Sequence, residues 1–154
     1  MLDLLVVVDD LDDGRRAAEV VARRTKMRFL EFADPQEALA GLLELDEPFV
    51  LVLDHNFEND EWPGYRLANE LREKHTYGLL LPILYLSGYM TGFEFVELLQ
   101  SKLAYAPTAF LSKADGGRLL PTVRRITESF DRLEEVAREQ AMAQAYAALL
   151  EVGQ

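Results

Sequence analysis

The chain has 154 residues, of which 49% are hydrophobic, and its formal net charge at pH 7 is −11. A chain of this length and composition can bury one substantial core, so we expect a single globular domain. Because the sequence contains no cysteine, it excludes disulfides, thiol chemistry and cysteine-based zinc sites. The negative charge argues against nonspecific binding to nucleic acid or anionic membranes, because phosphate polyanions would be repelled.

The sequence also argues against a membrane protein. Its apolar runs are too short to span a bilayer, and the N-terminus lacks the basic start and cleavage site of a signal peptide. We therefore expect a cytoplasmic protein that contacts neither a membrane nor nucleic acid. No DNA-binding output module is evident in this sequence.

Apolar runs of strand length alternate with segments of helical periodicity, which is typical of βαβ units and a parallel sheet. The pattern predicts strands over 4–9, 27–32, 49–54, 82–86 and 108–111. It predicts helices over 13–25, 35–45, 64–75 and 91–103, and a last helix that begins near Gly117. The second strand alternates apolar and polar residues, so we expect it near an edge of the sheet. Pro35 suits a first helical turn, with Asp34 as the N-cap.

Polar side chains stand where the apolar strands stop. Asp9 and Asp10 follow the first strand, and Asp54 ends the third. Ser87 follows the fourth strand, and Lys113 comes shortly after the fifth. Ligands of an open parallel sheet bind outside the carboxyl ends of its strands, so these residues are expected to converge. The sequence thus predicts one site with three carboxylates, a hydroxyl and an ammonium group.

This set of groups suits phosphoryl transfer. Asp9, Asp10 and Asp54 offer the hard oxygen ligands that Mg²⁺ prefers. Without a metal, the clustered carboxylates repel one another, and at least one pKa should rise. We expect Asp54 to be the nucleophile, because a carboxylate forms an acyl phosphate when metal and ammonium neutralise the transferring group. Ser87 and Lys113 would hold the phosphoryl oxygens.

From about Leu4 to about Phe130, the chain resembles the receiver domain of two-component response regulators. The motifs that carry the resemblance are Asp9-Asp10, the phosphoacceptor position Asp54, Ser87 followed by the small Gly88, and Lys113. The resemblance implies a CheY-like, flavodoxin-like α/β fold. This is a doubly wound (βα)5 three-layer sandwich with a five-stranded parallel sheet of order 2-1-3-4-5. It also implies that Asn56 lends its backbone carbonyl to the metal and that Phe110 is the aromatic switch.

Three departures from the family pattern affect loops rather than reactive groups. The segment from Asp54 to Gly64 is a residue or two longer than usual, and its proline is displaced to Pro63. The stretch between Ser87 and Lys113 is also longer. Lys113 is followed by alanine where the family usually has a proline, often in cis, so we expect a loop of different shape there.

The last predicted helix is longer than a receiver domain needs. Its apolar residues recur at alternating spacings of four and three, and this heptad-like stripe comprises Leu119, Val123, Ile126, Phe130, Leu133 and Ala137. The helix can reach about 33 residues, roughly 50 Å at 1.5 Å per residue. We therefore expect a receiver domain over 1–130. Residues 131–154 would extend the last helix as a coiled coil or lead to an output domain.

The resemblance implies a regulatory phosphoacceptor and not an enzyme, with only self-catalysed transfer and slow autodephosphorylation. Asp54 would receive phosphate from the phospho-histidine of a sensor histidine kinase or a histidine phosphotransfer protein. Ser87 and Lys113 would then be drawn to the new charge, and Phe110 would turn inward. We expect this switch to act on a surface formed by helix 4, strand 5 and helix 5. A homodimer is expected through that face or through the last helix.

Two other functions remain open at this point. A receiver-like module could act by interaction or dimerisation without phosphorylation, although the full acidic site argues against it. A phosphohydrolase of the haloacid-dehalogenase type also uses an aspartate nucleophile, Mg²⁺, a Ser/Thr and a lysine. That resemblance expects a second acid two residues after the nucleophile, where this chain has Asn56, and it places the nucleophile on its first motif strand.

Several of these residues also have an ordinary structural interpretation. Asp12 and Asp13 are expected to cap the first helix rather than bind metal. Phe110 can be a core aromatic instead of a switch. Strand alternation points His55 away from the site, which favours a surface or packing role. Tyr89 either screens the phosphoryl group from water or lies on the surface.

Overall fold

A computed structural model describes residues 2–54, 62–88 and 108–152. Its five parallel strands form one sheet in the order β2-β1-β3-β4-β5. The strands are β1 (Leu4–Val8), β2 (Arg28–Phe32), β3 (Val50–Asp54), β4 (Ile83–Ser87) and β5 (Thr108–Ser112). The helices are α1 (Asp12–Arg24), α2 (Pro35–Leu43), α3 (Gly64–Lys74), a 3₁₀ segment (Lys113–Arg118) and the C-terminal helix (Leu119–Val152). The predicted fold class and strand order are confirmed, and the predicted helix over 91–103 lies outside the described residues.

Hydrophobic burial on both faces holds the sheet in the middle of the molecule. Every residue of β1 and β3 is buried, whereas β2 is exposed or half-buried along its length. Because successive side chains point to opposite faces, Val6 and Leu51 pack toward α2 and α3. Val7 and Val52 pack toward α1 and the C-terminal helix. The prediction that the second strand lies at an edge is confirmed.

The first two helices begin for different physical reasons. The side chain of Asp34 caps α2, because its carboxylate accepts hydrogen bonds from the backbone N–H groups of Gln36 at 3.4 Å and Glu37 at 3.2 Å. The predicted cap at Asp34 is therefore confirmed. In α1 the N-cap is Leu11, which makes no side-chain cap. Asp12 and Asp13 lie in the first turn, so they complement the helix dipole without being the N-cap residue.

The segment after β5 differs in detail from the sequence-based expectation. The C-terminal helix begins at Leu119 rather than near Gly117, because residues 113–118 form the 3₁₀ segment. Within that segment Asp115 has non-helical angles, with φ −101° and ψ 38°. The hydroxyl of Ser112 caps its start by accepting a hydrogen bond from the Ala114 N–H at 3.2 Å. Every peptide bond in the described ranges is trans, including the one between Lys113 and Ala114.

The C-terminal helix has a buried part and a projecting part. Leu119, Val123, Ile126 and Phe130 are buried against the sheet, with exposures of 5% or less. Every residue from 135 to 151 is exposed. The 34-residue helix therefore extends well beyond the body of its own domain. None of the described helices is long and apolar enough to cross a membrane.

Two buried polar side chains lie at the end of the sheet opposite the acidic residues. The Arg72 guanidinium, 5% exposed, donates to the backbone carbonyls of Gly78 and Leu81, at 2.8 Å each, and to the Thr108 hydroxyl at 3.3 Å. It thereby joins the end of α3 to the start of β5. His75 follows α3 and is 7% exposed. The hydrogen bonds of Arg72 satisfy polar groups that would otherwise be costly to bury.

Candidate functional site

Three carboxylates meet at the carboxyl end of the sheet. Asp9 follows β1 directly, and Asp54 is the last residue of the adjacent strand β3. One oxygen of each of Asp9, Asp10 and Asp54 lies within 4.8 Å of the others. Asp9 and Asp54 are only 2% and 4% exposed, and Asp10 is half-buried. The parallel order of the strands therefore produces a compact, largely desolvated acidic cluster.

Lys113 provides the positive charge of this cluster. It follows β5, two strands away from β3, and its side chain reaches back over the end of the sheet. Its Nζ lies 3.4 Å from Asp9 Oδ2 and 3.5 Å from Asp54 Oδ1. The side chain is 29% exposed, so it contacts the buried carboxylates while part of it remains accessible to solvent. Of the predicted site residues, the structure thus brings together the three acids and the lysine.

The backbone and the first turn of α1 fix Asp9 in place. Its N–H donates to the Phe32 carbonyl at 3.1 Å, across the gap between β1 and β2. Its Oδ1 accepts a hydrogen bond from the Leu11 N–H at 2.9 Å. Its backbone carbonyl accepts one from Arg15 Nη1 at 2.8 Å. Sequence reasoning missed Leu11, because a backbone N–H leaves no signal in the residue type, and it missed Arg15, whose side chain binds a backbone carbonyl.

Burial and charge repulsion change the protonation of the nucleophile candidate. Burial, followed by the charge of Asp9, raises the pKa of Asp54 to about 7, although Lys113 opposes the rise. Burial alone would lower the pKa of Lys113, but Asp54 and Asp9 outweigh it and hold that pKa above its usual value. When all three acids are ionised, their charge exceeds that of the single ammonium by two. The cluster is therefore electrostatically deficient in positive charge.

The donor set suits a divalent cation that prefers hard oxygen ligands. Mg²⁺ binds proteins through one or two carboxylates together with waters and phosphate oxygens. The three acids offer such oxygens within a small radius, and their excess negative charge matches a charge of +2. Asp9, Asp10 and Asp54 therefore fit Mg²⁺ in chemistry and in placement. The Asn56 carbonyl, predicted as a further ligand, lies outside the described residues.

Two of the other predicted residues, Ser87 and Phe110, lie in described strands, and the rest lie outside the described residues. Ser87 is the last residue of β4, and its backbone lies in register with Ser112 of β5. Phe110 is the central residue of β5; it lies beside Tyr85 in the register, and its half-buried side chain packs against the core on the α2 and α3 face. His55 and Tyr89 lie outside the described residues.

Gly14 is a further site residue that sequence reasoning did not single out. It is the third residue of α1, and a Cβ atom at this position would lie 1.9 Å from Asp9 Oδ2. The available signal was a glycine in the first turn of a helix, where glycine is less favourable than alanine and so needs another reason to be present. That reason is the close approach of the Asp9 carboxylate.

No family model matches the sequence, and no curated protein matches it. The fold, in contrast, matches many solved structures. A structure of NtrX from Brucella abortus superposes with a TM-score of 0.70 at 23% identity, over 89% of this chain and 30% of that one. The chemotaxis response regulator CheY4 of Vibrio cholerae gives 0.66 at 24% identity, over 82% of this chain and 99% of that one.

A third similar structure is described as a receiver domain. It is a variant of the receiver domain of the histidine kinase CKI1 from Arabidopsis thaliana, with a TM-score of 0.66 at 23% identity, over 82% of this chain and 89% of that one. The chain therefore has the fold of response-regulator receiver domains. It spans about three tenths of the NtrX chain, so the likeness to NtrX concerns one part of that protein.

Proposed function

We propose that this chain is a two-component receiver domain that accepts a phosphoryl group on Asp54. The observation that carries the proposal is the position of Lys113 Nζ, within 3.5 Å of carboxylate oxygens of both Asp9 and Asp54. A lysine that served only to neutralise one buried acid would pair with that acid alone. Lys113 instead contacts two buried acids, Asp9 and Asp54, and the half-buried Asp10 lies beside them. The donor would be the phospho-histidine of a sensor histidine kinase or of a histidine phosphotransfer protein.

The transfer is a displacement at phosphorus. An Asp54 carboxylate oxygen forms a bond to phosphorus as the bond from phosphorus to the donor imidazole nitrogen breaks, and that nitrogen keeps the electron pair. Asp54 must be ionised to attack, and a pKa of about 7 leaves a substantial ionised fraction near neutral pH. Lys113 then holds oxygens of the transferred group, whose charge is spread over three oxygens. Mg²⁺, when bound by the acids, supplies positive charge to the attacking and transferring oxygens.

Residues beyond the acids and the lysine complete the proposed switch. Asp54 pairs with Leu86 in the register of β3 and β4, so the backbone of Ser87 lies one residue beyond the nucleophile on the neighbouring strand. We assign Ser87 to hold the phosphoryl group with Lys113. Phe110 is the proposed aromatic switch, because it lies on β5, packs against the core and precedes by three residues the 3₁₀ segment that begins at Lys113. Asn56 remains the proposed carbonyl ligand.

The projecting part of the C-terminal helix supports a second element of the proposal, which is pairing with a second copy. We divide the chain into a receiver domain over 1–130 and a helical extension over 131–154. Beyond Phe130 a second stripe with spacings of three and four starts at Leu133, which it shares with the first stripe. It comprises Leu133, Val136, Gln140, Ala143, Ala147 and Leu150, of which all but Gln140 are apolar. Val136 and Leu150 are 47% and 54% exposed. One polar residue among apolar seam positions is a known device for fixing coiled-coil register.

The phosphorylation proposal is tested with beryllofluoride, a mimic of the phosphoryl group, and with a small phosphoramidate donor. Wild type in Mg²⁺ should gain the mass of one phosphoryl group, and beryllofluoride should change the fluorescence of Trp62. The Arg66 guanidinium lies 4.2 Å from that ring centroid, so a change in this contact should alter the emission. Asp54→Asn should lose both responses, and the exposed control Asp131→Asn should keep them. A phosphorylated Asp54→Asn sample would refute the assignment of the nucleophile.

The interaction-module alternative predicts a different result in the same samples. One outcome is that wild type shows neither the mass increase nor a fluorescence response to beryllofluoride. Calorimetry then tests whether Mg²⁺ and beryllofluoride bind without changing the fluorescence of Trp62. Absence of binding there would favour a module that works through the exposed helix alone. Self-association of the same samples, measured by light scattering, separates that outcome from an inactive protein.

A further inference from the structure

We propose that Gly14 is a positioning residue, whose missing side chain gives the Asp9 carboxylate its place over the first turn of α1. A Cβ atom built at position 14 would lie 1.9 Å from Asp9 Oδ2 and 2.6 Å from Asp9 Cγ. Both distances are far below any real carbon contact. The inference goes beyond the role of the acids themselves, and its metal arm rests on the proposed function.

The backbone of Gly14 gives no other reason for a glycine. None of the described glycines has a positive φ, so Gly14 adopts a conformation that any residue can take. Inside a helix, glycine is less favourable than alanine, because it loses more backbone entropy on folding. The contact with Asp9 is therefore the feature that accounts for glycine at this position.

The Asp9 carboxylate cannot simply turn aside without losing its partners. Its Oδ1 accepts the Leu11 N–H at 2.9 Å, and its Oδ2 lies 3.4 Å from Lys113 Nζ. A Cβ atom at position 14 would displace Oδ2 from its present place, where it lies 3.4 Å from Lys113 Nζ. The displaced carboxylate would move relative to Asp10 and Asp54, with which it now shares a 4.8 Å radius.

The expected effect of Gly14→Ala on the melting temperature has one sign when Asp9 is present and the opposite sign in an Asp9→Ala background. In the protein that keeps Asp9, the substitution should weaken Mg²⁺ or Mn²⁺ binding about tenfold. Changes to residues that orient metal ligands typically have an effect of this size. The substitution should also lower the melting temperature in the absence of metal. In an Asp9→Ala background the carboxylate is gone, so the same substitution should raise the melting temperature by roughly 2–4 °C through helix propensity.

The experiment measures metal affinity by calorimetry and metal-free melting for wild type, Gly14→Ala, Asp9→Ala and the double variant. The control is Gly117→Ala, where a Cβ would meet no atom within 4 Å. If Gly14→Ala raises the melting temperature equally in both backgrounds and leaves affinity unchanged, the proposal is overturned. If Gly14→Ala does not fold but the double variant does, the proposal is supported. If wild type binds no metal, the proposed function fails, and the metal-free melting still decides the role of Gly14.

Discussion

Lys113 Nζ lies 3.5 Å from Asp54 Oδ1, so the ammonium from the end of β5 reaches the last residue of β3 across the intervening strand. The charge of Lys113 lowers the pKa of Asp54 against the larger effect of burial. This pairing joins the protonation of Asp54 to the position of the segment that follows β5. Movement of that segment would change the distance between Lys113 and Asp54 and, with it, the pKa of Asp54.

Replacing Lys113 with Gln should therefore raise the pKa of Asp54 from about 7 by about one further unit or more. A nearby opposite charge lowers the pKa of a carboxyl group by about 1–3 units, and the substitution removes that charge. Carbon-13 NMR of labelled aspartate side chains would follow the titration directly. Lys113→Arg keeps the charge and is the matched control. An unchanged midpoint in Lys113→Gln would show that the ammonium does not act on Asp54.

Asp54 should also make the metal-free protein less stable at high pH. Its pKa is raised from 3.8 to about 7 on folding, so the unfolded chain loses this proton first as pH rises. The contribution of Asp54 to stability therefore falls between about pH 4 and pH 7 and then stays level. Asp54→Asn, which imitates the neutral form, should be more stable than wild type at pH 8 by up to about 4 kcal/mol, since the pKa is raised by about three units and each unit corresponds to about 1.4 kcal/mol.

Urea unfolding of both proteins at pH 4 and pH 8 checks this expectation. The difference between them should be small at pH 4 and should grow toward pH 8. Adding Mg²⁺ at pH 8 should stabilise wild type more than Asp54→Asn, because the substitution removes one carboxylate of the cluster. An Asp54→Asn protein that is less stable than wild type at pH 8 without metal would contradict the account.

His75 should produce an acid-side loss of stability. Its ring packs edge-on against Phe49, with centroids 5.3 Å apart, and its Nδ1 accepts the Tyr77 N–H at 3.0 Å. Burial lowers its pKa from 6.5, so the folded protein holds the neutral ring. Below about pH 6.5 the unfolded chain binds a proton that the folded chain resists, and stability falls as the pH drops further.

The variant that tests this is His75→Asn, which keeps an acceptor near the Nδ1 position and cannot titrate in this range. Its unfolding free energy should depend less steeply on pH between 6.5 and 5 than that of wild type. His75→Asn will be less stable overall, because the smaller side chain leaves space beside Phe49. Equal slopes in the two proteins would mean that His75 keeps an ordinary pKa.

Arg72 should be among the most sensitive positions for stability. Its guanidinium satisfies two backbone carbonyls and the Thr108 hydroxyl in a buried setting. Arg72→Met keeps the aliphatic volume but removes the guanidinium donor from these buried acceptors, so we expect a loss of about 2–5 kcal/mol. Arg132→Met, on an exposed part of the C-terminal helix, should cost little. Chemical unfolding of both variants measures the difference, and a loss below about 1 kcal/mol in Arg72→Met would contradict the role given to the guanidinium.

The sequence predicts the sheet better than it predicts these polar contacts. Apolar runs and the polar residues at their ends repeat with each strand, so the parallel sheet and the meeting of Asp9, Asp54 and Lys113 follow from the pattern, whereas the strand order follows only from the resemblance to receiver domains. Arg72 and His75 sit in a polar helix end whose sequence resembles an exposed surface, and only the three-dimensional packing buries them. Likewise the start of the last helix at Leu119 depends on the local turn at Asp115, for which no periodicity gives a signal.

The exposed half of the C-terminal helix leads to a prediction about self-association. If a second copy covers the stripe that contains Val136 and Leu150, wild type should form a dimer whose dissociation depends on concentration. The double variant Val136→Glu, Leu150→Glu places like charges on the seam of both copies and should weaken association at least tenfold, about 1.4 kcal/mol. Ala145→Glu is the matched control, because helical geometry places position 145 on the opposite face.

Sedimentation equilibrium at several concentrations distinguishes the outcomes. Weakening in the seam variant but not in Ala145→Glu would assign the interface to the predicted stripe. Equal weakening in both would move it to a broader face that includes Met142 and Tyr146, which are 67% and 65% exposed. A wild type that stays monomeric at high micromolar concentration would remove the dimer from the proposal. The proposed phosphorylation would be unaffected, because Asp54 lies at the end of the sheet and not on this helix.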